Sequence, residues 1–259
     1  MRDSMTESAG SKSLRCEPPR ENRLAGQVVR VSELTPRDLE QMYALLTAYF
    51  AGATRRQFEN DLAEKEWAIV LRDAMSERVQ GFSTLMSWRT TIDAQPVTVF
   101  FSGDTIIHRD YWGETTLPRL WSRHVFGLAE QIVAQISEAR AYWLLISSGY
   151  KTYRFLPLFF REFYPHYQCA TPPHLQRLLD QLGRHKFGDE YDAARGVVRF
   201  KQSAPLQPGV ADLTAQRLRD PHVAFFAQAN PGHARGDELA CLTEITRANL
   251  TLAGARMVR

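Results

Sequence analysis

The chain has few cysteines, and they are not arranged as a structural site. Its 259 residues contain three: Cys16, Cys169 and Cys241. The odd count and the absence of a Cys-x-x-Cys pair argue against both a disulfide framework and a zinc site. We therefore expect a reducing compartment and no bound metal.

Long apolar runs are also missing. No stretch approaches the ~20 apolar residues that a membrane-spanning helix needs, and residues 1–25 lack the apolar core of a signal peptide. Charged residues mixed with Ser, Pro and Gly make this segment a predicted disordered leader. These absences predict a cytoplasmic protein with no membrane partner.

Lysine is scarce as well. Arginine supplies most of the 32 basic side chains, and the net charge is only +3 at pH 7. The arginines are interleaved with acidic residues and form no basic stripe, so we expect no nucleic-acid partner. The five lysines are Lys12, Lys65, Lys151, Lys186 and Lys201.

Apolar spacing predicts alternating strands and helices. The predicted order is a strand at 27–34, helices at 36–50 and 56–65, strands at 67–71, 81–88 and 96–107, a helix at 116–137, a strand at 142–146 and a partly helical segment at 149–163. A helix at 173–182, a strand at 196–201 and helices at 220–229 and 236–252 follow. This order predicts an α+β (mixed α/β) domain over residues 26–201, with residues 202–259 as a C-terminal extension packing on it.

The segment that joins the longest predicted strand to the long predicted helix contains the candidate functional residues. Ser102-Gly103-Asp104 interrupts the strand, and a glycine inside a strand often marks either a bulge or a close approach of another backbone. Beyond the strand, Gly113 precedes a helix whose first N–H groups lack partners and carry a partial charge of about +0.5. Glycine lets main chain approach a phosphate oxygen. We expect a pyrophosphate to bind the amides of Glu114, Thr115, Thr116 and Leu117.

Together with the element order, the segment SGDTIIHRDYWGETTL resembles the GCN5-related N-acetyltransferase (GNAT) superfamily over residues 28–165. The family loop Gln/Arg-x-x-Gly-x-Gly/Ala corresponds to residues 110–115, with Gly113 as the central glycine. Asp110 and Thr115 depart from the pattern at its two ends. The resemblance implies a central, mostly antiparallel sheet flanked by helices. It also implies transfer of an acyl group from acetyl-CoA or another acyl-CoA to an amine-bearing small molecule.

The resemblance further implies where the cofactor binds. The strand at 142–146 would diverge from the preceding one and leave a slot for the thioester. Cofactor contacts would come from the strand end, the loop and the segment after the next strand: Thr105, Ile106, Ile107, Trp112, Gly113, Glu114, Thr115, Thr116, Lys151 and Arg154. For Lys151 and Arg154, a role as ordinary surface charges is an equal alternative.

Catalytic groups are assigned in the same way. The helix after the slot would supply a general acid, for which we choose Tyr153 over Tyr150. A phenol with a pKa near 10 can protonate a leaving thiolate. Asp104 and His108 flank the strand end and are candidate bases. Ordinary roles remain open: Tyr153 as a core aromatic, Asp104 as a bulge acceptor and His108 as a solvated loop residue.

Other interpretations stay open. An acyl-carrier-protein-dependent enzyme would need only the pantetheine slot, which suits the imperfect loop. The departures at Asp110 and Thr115 also suit a catalytically inactive, GNAT-like protein that binds a ligand or partner. In the tail, the preferred interpretation of the Asn230-Pro231-Gly232 segment is a turn before a capped helix. Alternatively, His233, Asp237 or Glu238 contacts an amine.

Overall fold

A computed structural model describes residues 23–136 and 138–259, and it contains one eight-stranded sheet of order β1-β2-β3-β4-β5-β8-β7-β6. The strands are β1 Leu24–Arg30, β2 Trp67–Asp73, β3 Val79–Ile92, β4 Gln95–Ile107, β5 Arg140–Ser147, β6 Tyr191–Asp192, β7 Val197–Val198 and β8 Glu238–Glu244. Among these strands only β4 and β5 pair in parallel. The predicted mixed α/β, mostly antiparallel fold is confirmed. The predicted leader lies largely outside the described residues.

Eight α-helices of the described ranges accompany the sheet. They are α1 Pro36–Tyr49, α2 Arg55–Ala63, α3 Thr116–Gln135, α4 Tyr150–Tyr153, α5 Phe155–Phe159, α6 Pro173–Phe187, α7 Pro221–Ala229 and α8 Leu252–Met257. No helix in these ranges is both long enough and apolar enough to span a bilayer.

The first helix begins as its sequence predicts. Thr35 Oγ1 accepts the Asp38 amide at 3.2 Å, and the Asp38 carboxylate accepts the Thr35 amide at 3.1 Å. This reciprocal cap satisfies two N–H groups that no helical carbonyl reaches. Pro36 occupies the first helical position, where its missing N–H costs nothing.

Successive residues of each strand point to opposite faces of the sheet, and different helices cover the two faces. One face packs against α3, α5 and α7 in a large apolar cluster that includes Phe100 and Trp143. The other face has two smaller clusters, one beneath α1 and α2 and one beneath α6. Between them, Lys186 Nζ of α6 contacts Glu64 Oε2 beside α2 at 2.5 Å. The end of β4 therefore lies between two helical layers on this second face.

The predicted helix at 236–252 is wrong. Residues 238–244 form β8, which pairs with β5 on one side and β7 on the other. The spacing of Leu239, Leu242 and Ile245 imitates a helical period, but the run from Leu239 to Thr243 is buried throughout because both sheet faces are covered. Residues 202–259 thus contribute a strand to the sheet.

Candidate active site

The neighbouring strands β4 and β5 separate part of the way along their length. Their parallel pairing runs from Val97–Arg140 to Ser102–Leu145 and stops there. The register of β4 on β3 shifts at this level, between Ser83 and Leu85, so of the two alternatives for the glycine a bulge is the one present. A bulge bends and twists its strand, so β4 residues 103–107 leave β5. We call the opening between them and β5 residues 146–147 the slot.

A narrow cavity lies under the slot on the face covered by α3. Its volume is about 40 Å³, and its walls are mostly apolar. Its walls include Thr105 of β4, Leu117 and Pro118 of α3, Thr152 of α4 and Phe155 of α5. The first turn of α3 therefore borders the cavity directly.

Two of the side chains that line this cavity are indoles held by one hydroxyl. Trp121 Nε1 donates to Ser102 Oγ at 2.9 Å, and Trp143 Nε1 donates to the same oxygen at 3.1 Å. The two ring centroids are 4.3 Å apart. A hydroxyl oxygen has two acceptor positions, and Ser102 uses both where the β4–β5 pairing ends.

The loop before α3 leaves its main chain accessible. Gly113 has a φ of +98°, and a β-carbon built there would meet no atom within 4 Å. Thr115 is the N-cap of α3, but its side chain caps no amide. The Glu114 amide, predicted to bind the pyrophosphate, donates to Tyr111 O at 3.2 Å and is not free. The amides of Thr115, Thr116 and Leu117 lie at the start of α3, where N–H groups have no helical partner, so they suit an anion. These features suit a pyrophosphate, and the predicted pyrophosphate site stays a prediction.

The side chain of Trp112 bridges the outer end of the slot. Its Nε1 donates to Ile107 O at 2.8 Å, and Lys151 Nζ lies 3.1 Å from the ring centroid. The indole thus connects the end of β4 to α4. Burial and the charge of Arg217, with a smaller effect of Arg109, lower the pKa of Lys151 to about 8 against the opposing charge of Asp212. Three cations therefore lie close to the loop.

Other predicted cofactor residues are engaged elsewhere. Arg154 Nε pairs with Asp220 Oδ2 at 3.2 Å, which directs the guanidinium toward α7. Glu114 Oε1 pairs with Arg23 Nε at 3.2 Å and anchors the loop to the start of β1. Sequence reasoning missed Arg217 because it lies in the tail, with no local motif to connect it to the loop.

Tyr153, the predicted general acid, is not brought to the slot. Its hydroxyl donates to Pro165 O at 3.1 Å, and its ring packs among Phe163, Phe225 and Phe226. Its side chain is fully buried, and burial raises its pKa well above the ordinary range. The alternative role as a core aromatic describes this position. Thr152 is the α4 residue that lines the cavity.

The two residues predicted as candidate bases, Asp104 and His108, lie in different places. His108 lies at the far end of β4, where its Nδ1 is 3.6 Å from Asp110 Oδ2. Asp104 lies in the bulge, where burial and the neighbouring Asp61 raise its pKa to about 6 against the opposing effect of Lys65. Lys65 is itself buried and donates from Nζ to Asp61 O at 2.8 Å.

Glu238 at the start of β8 joins this group. Burial, then the charges of Asp104 and Asp61, raise its pKa to about 8. We call Asp61, Asp104 and Glu238 the acidic cluster. Of the two interpretations of the tail segment, only the one that placed Glu238 in contact with an amine gave this residue a functional role. No local pattern could show that β8 inserts beside β5.

Replacing Glu238 with glutamine is expected to stabilise the protein at alkaline pH. A raised carboxyl pKa contributes stability that is complete below the unfolded-state pKa and is lost as pH rises through about 8. Glutamine cannot ionise, so the Tm of the variant should exceed that of the wild type at pH 9 by at least about 2–4 °C, the effect of 1 kcal/mol at this size. The two should agree near pH 5.

Glu244→Gln is the matched control for that measurement. Glu244 ends the same strand and faces Arg140 at 3.9 Å near the surface. Calorimetric scans of both variants from pH 5 to 9 should show the alkaline gain for Glu238→Gln alone. An equal Tm difference at both ends of the pH range would contradict the assignment.

Known proteins show only a distant similarity to this chain. No protein-family model and no curated protein matches this sequence. A probable N-acyltransferase from Enterococcus faecalis V583 is 17% identical over 54% of this chain and 33% of its own length, with a TM-score of 0.39. The GNAT family N-acetyltransferase YhbS of Escherichia coli, crystallised with CoA, is 15% identical over 53% of this chain and 70% of its own, with a TM-score of 0.37.

A third solved structure is NAA60 of Arabidopsis thaliana in complex with acetyl-CoA. It is 14% identical over 54% of this chain and 86% of its own, with a TM-score of 0.37. The chain spans about a third of the Enterococcus protein. Its own topology, with β1 to β4 antiparallel and a parallel β4–β5 pair that separates beside α3, is the arrangement that the resemblance implied. The chain therefore has a mixed α/β fold whose strand arrangement is the one that the resemblance implied.

Proposed function

We propose that this protein is an acyl-CoA-dependent N-acyltransferase that acts on an amine-bearing small molecule. One observation carries the proposal: the slot between β4 and β5 opens beside the uncapped N-terminus of α3. Acyl-CoA has an anionic nucleotide at one end of a long arm and a thioester at the other. Its binding site therefore needs these two features next to each other.

The residues around the slot suit each part of acyl-CoA. The α3 amides and the open main chain at Gly113 suit the pyrophosphate, and Lys151, Arg109 and Arg217 suit the remaining phosphate charge. Beyond Ser102, the edge of β4 facing β5 has no strand partner within the described residues. Its main-chain groups suit the amides of pantetheine.

The acceptor would approach from the opposite face of the sheet. The acidic cluster consists of Asp61 of α2, Asp104 of β4 and Glu238 of β8, and its negative charge favours an amine. Bound acyl-CoA would supply an activated thioester carbonyl. Asp104, with a pKa of about 6, is mostly ionised at neutral pH and takes a proton from the acceptor nitrogen. The nitrogen forms the C–N bond as the C–S bond breaks, and the thiolate leaves with the bonding pair and takes up a proton from water.

Calorimetric titration with acetyl-CoA tests the proposal. The wild type should bind, and Gly113→Ala should raise the Kd at least about tenfold because a methyl group then occupies the space next to the phosphate. Gly196→Ala is the matched control: its φ is +65°, an added β-carbon there also meets no atom within 4 Å, and it lies in the turn between β6 and β7. Its Kd should not change.

A wild type that binds neither acetyl-CoA nor CoA would contradict the proposal. Equal weakening by the two glycine variants would also contradict it, because the effect would then come from general backbone strain. Binding without turnover over a panel of primary amines would favour the inactive, ligand-binding alternative.

A further inference from the structure

The loop that precedes α3 is joined to the end of β2 by one side-chain hydrogen bond. Tyr111 Oη in the loop donates to Asp73 Oδ2 at 2.7 Å, and Asp73 is the last residue of β2. The other carboxylate oxygen, Asp73 Oδ1, accepts from the amide and the hydroxyl of Ser76, each at 2.8 Å. The acceptor of the Tyr111 hydroxyl is therefore itself held in place by the turn between β2 and β3.

This hydrogen bond has an ionised acceptor. The bond from Tyr111, then those from Ser76, lower the pKa of Asp73 to about 2, so its carboxylate is charged at neutral pH. A hydrogen bond to an ionised group is roughly twice as strong as one between neutral groups. The Arg23 guanidinium also lies 4.6 Å from the centroid of the Tyr111 ring and pairs with Glu114. Tyr111 is therefore held both at its hydroxyl and at its ring.

The loop depends on such contacts because its own backbone does not fix it. Gly113 lies two residues after Tyr111 at a φ of +98°, and glycine adopts positive and negative φ about equally readily. Thr115 caps α3 without a side-chain hydrogen bond. A fixed Tyr111 therefore limits the positions that Gly113 and the first amides of α3 can take.

The position of this loop matters for an anion. A site that is already ordered binds more tightly than a mobile one, because the ligand does not have to order it. Neither Tyr111 nor Asp73 is among the described residues that line the slot cavity. Their effect on a bound cofactor would therefore reach the phosphates, through the loop, and would not reach the acyl group.

We propose that Tyr111 and Asp73 are positioning residues for the cofactor phosphates. Their hydrogen bond holds the loop in the conformation that presents Gly113 and the α3 amides to the pyrophosphate. The inference rests on the proposed function, because it concerns the same phosphate site. It gives the end of β2, on the far side of the loop from the slot, a part in cofactor affinity.

Tyr111→Phe tests the inference, because it removes the hydrogen bond and keeps the ring against Arg23. We expect the calorimetric Kd for acetyl-CoA to rise about three- to tenfold, the effect of having to order one side chain and its loop on binding. The Kd for S-acetylpantetheine, which carries no phosphate, should keep its wild-type value. In amine acylation the KM for acetyl-CoA should rise while kcat stays the same.

Tyr191→Phe is the matched control. Tyr191 Oη donates to Asp180 Oδ1 at 2.8 Å, the same pair of chemical groups, between β6 and α6. Loss of this bond should change neither Kd. A general effect of losing a tyrosine–aspartate bond is thereby separated from an effect on the loop.

Asp73→Asn examines the bond from its other end. Asparagine keeps an oxygen for the Ser76 amide but offers Tyr111 no charge, so the acetyl-CoA Kd should rise here as well. The double variant Asp73→Asn, Tyr111→Phe should bind acetyl-CoA no more weakly than the weaker single variant, because both changes remove one interaction.

Amide hydrogen exchange of the free protein gives a measurement that is independent of the cofactor. The amides of residues 112–116 should exchange faster in Tyr111→Phe and in Asp73→Asn than in the wild type, because the loop opens more often. In Tyr191→Phe their exchange should be unchanged.

Two results would overturn the inference and leave the acyltransferase proposal standing. One is wild-type affinity for acetyl-CoA in folded Tyr111→Phe or, should that variant not fold, in Asp73→Asn. The other is an equal rise in the Kd for acetyl-CoA and for S-acetylpantetheine, because the bond would then support the slot as a whole. A wild type that binds no acyl-CoA would instead refute the proposed function, and this inference with it.

Discussion

Asp104→Asn is expected to lower kcat/KM for amine acylation by about 10²–10⁴-fold, the usual contribution of a general base. Asparagine has almost the same shape but cannot accept the acceptor's proton. Asp104 lies in the β4 bulge, two residues after Ser102, where the pairing of β4 with β5 ends. Its carboxylate therefore belongs to the part of β4 that borders the slot. Release of free CoA thiol from acetyl-CoA, with a panel of primary amines, measures the effect.

The pH profile of the wild type should support the same assignment. Burial raises the pKa of Asp104 to about 6, and only the ionised carboxylate can take a proton. Activity should therefore fall as pH decreases through about 6, and this acid limb should disappear in Asp104→Asn. The acetyl-CoA Kd should stay close to the wild-type value, because Asp104 faces away from the cavity.

Asp61→Asn provides the control. Asp61 raises the pKa of Asp104 through its charge, so removing that charge should shift the acid limb to lower pH with little loss of maximal rate. A profile with its midpoint near 8 that depends on Glu238 would assign the base to β8 and contradict the role of Asp104. Full activity in Asp104→Asn would contradict it as well.

The slot and its loop were predictable because their signals are local. A glycine inside the longest apolar run indicated the bulge, and the Gly113 loop before a long amphipathic helix indicated an accessible helix N-terminus. Each signal depends on residues within a few positions of one another. The pairing of β4 with β5 then follows from the right-handed strand–helix–strand unit.

The acidic cluster and the role of Tyr153 were less predictable for a different reason. Glu238 approaches Asp104 only because β8 inserts between β5 and β7, a contact between distant parts of the chain. The helix α4 has only four residues, so the direction in which Tyr153 points depends on the aromatic residues of α7 and of the segment after α5. Propensity and spacing contain no information about such packing.

Lys151→Ala is expected to raise the Kd for acetyl-CoA by about 10–100-fold, the loss of a charge-assisted hydrogen bond to phosphate. Lys151 is the most buried of the three cations near the loop, and burial, then the charge of Arg217, lowers its pKa to about 8. Because only the protonated amine attracts phosphate, wild-type affinity should also decrease as pH rises through about 8. Calorimetric titrations from pH 6.5 to 9 measure both effects.

The same variant distinguishes CoA from an acyl carrier protein as the donor. S-acetylpantetheine has the arm and thioester but no phosphate, so its Kd should be the same for Lys151→Ala and the wild type. Lys201→Ala removes an exposed lysine distant from the loop in sequence and should change neither Kd. If Lys151→Ala weakened both donors equally, the lysine would act on the slot through its contact with Trp112. The phosphate assignment would then fail, and a carrier-protein donor would become the better explanation of the departures at Asp110 and Thr115.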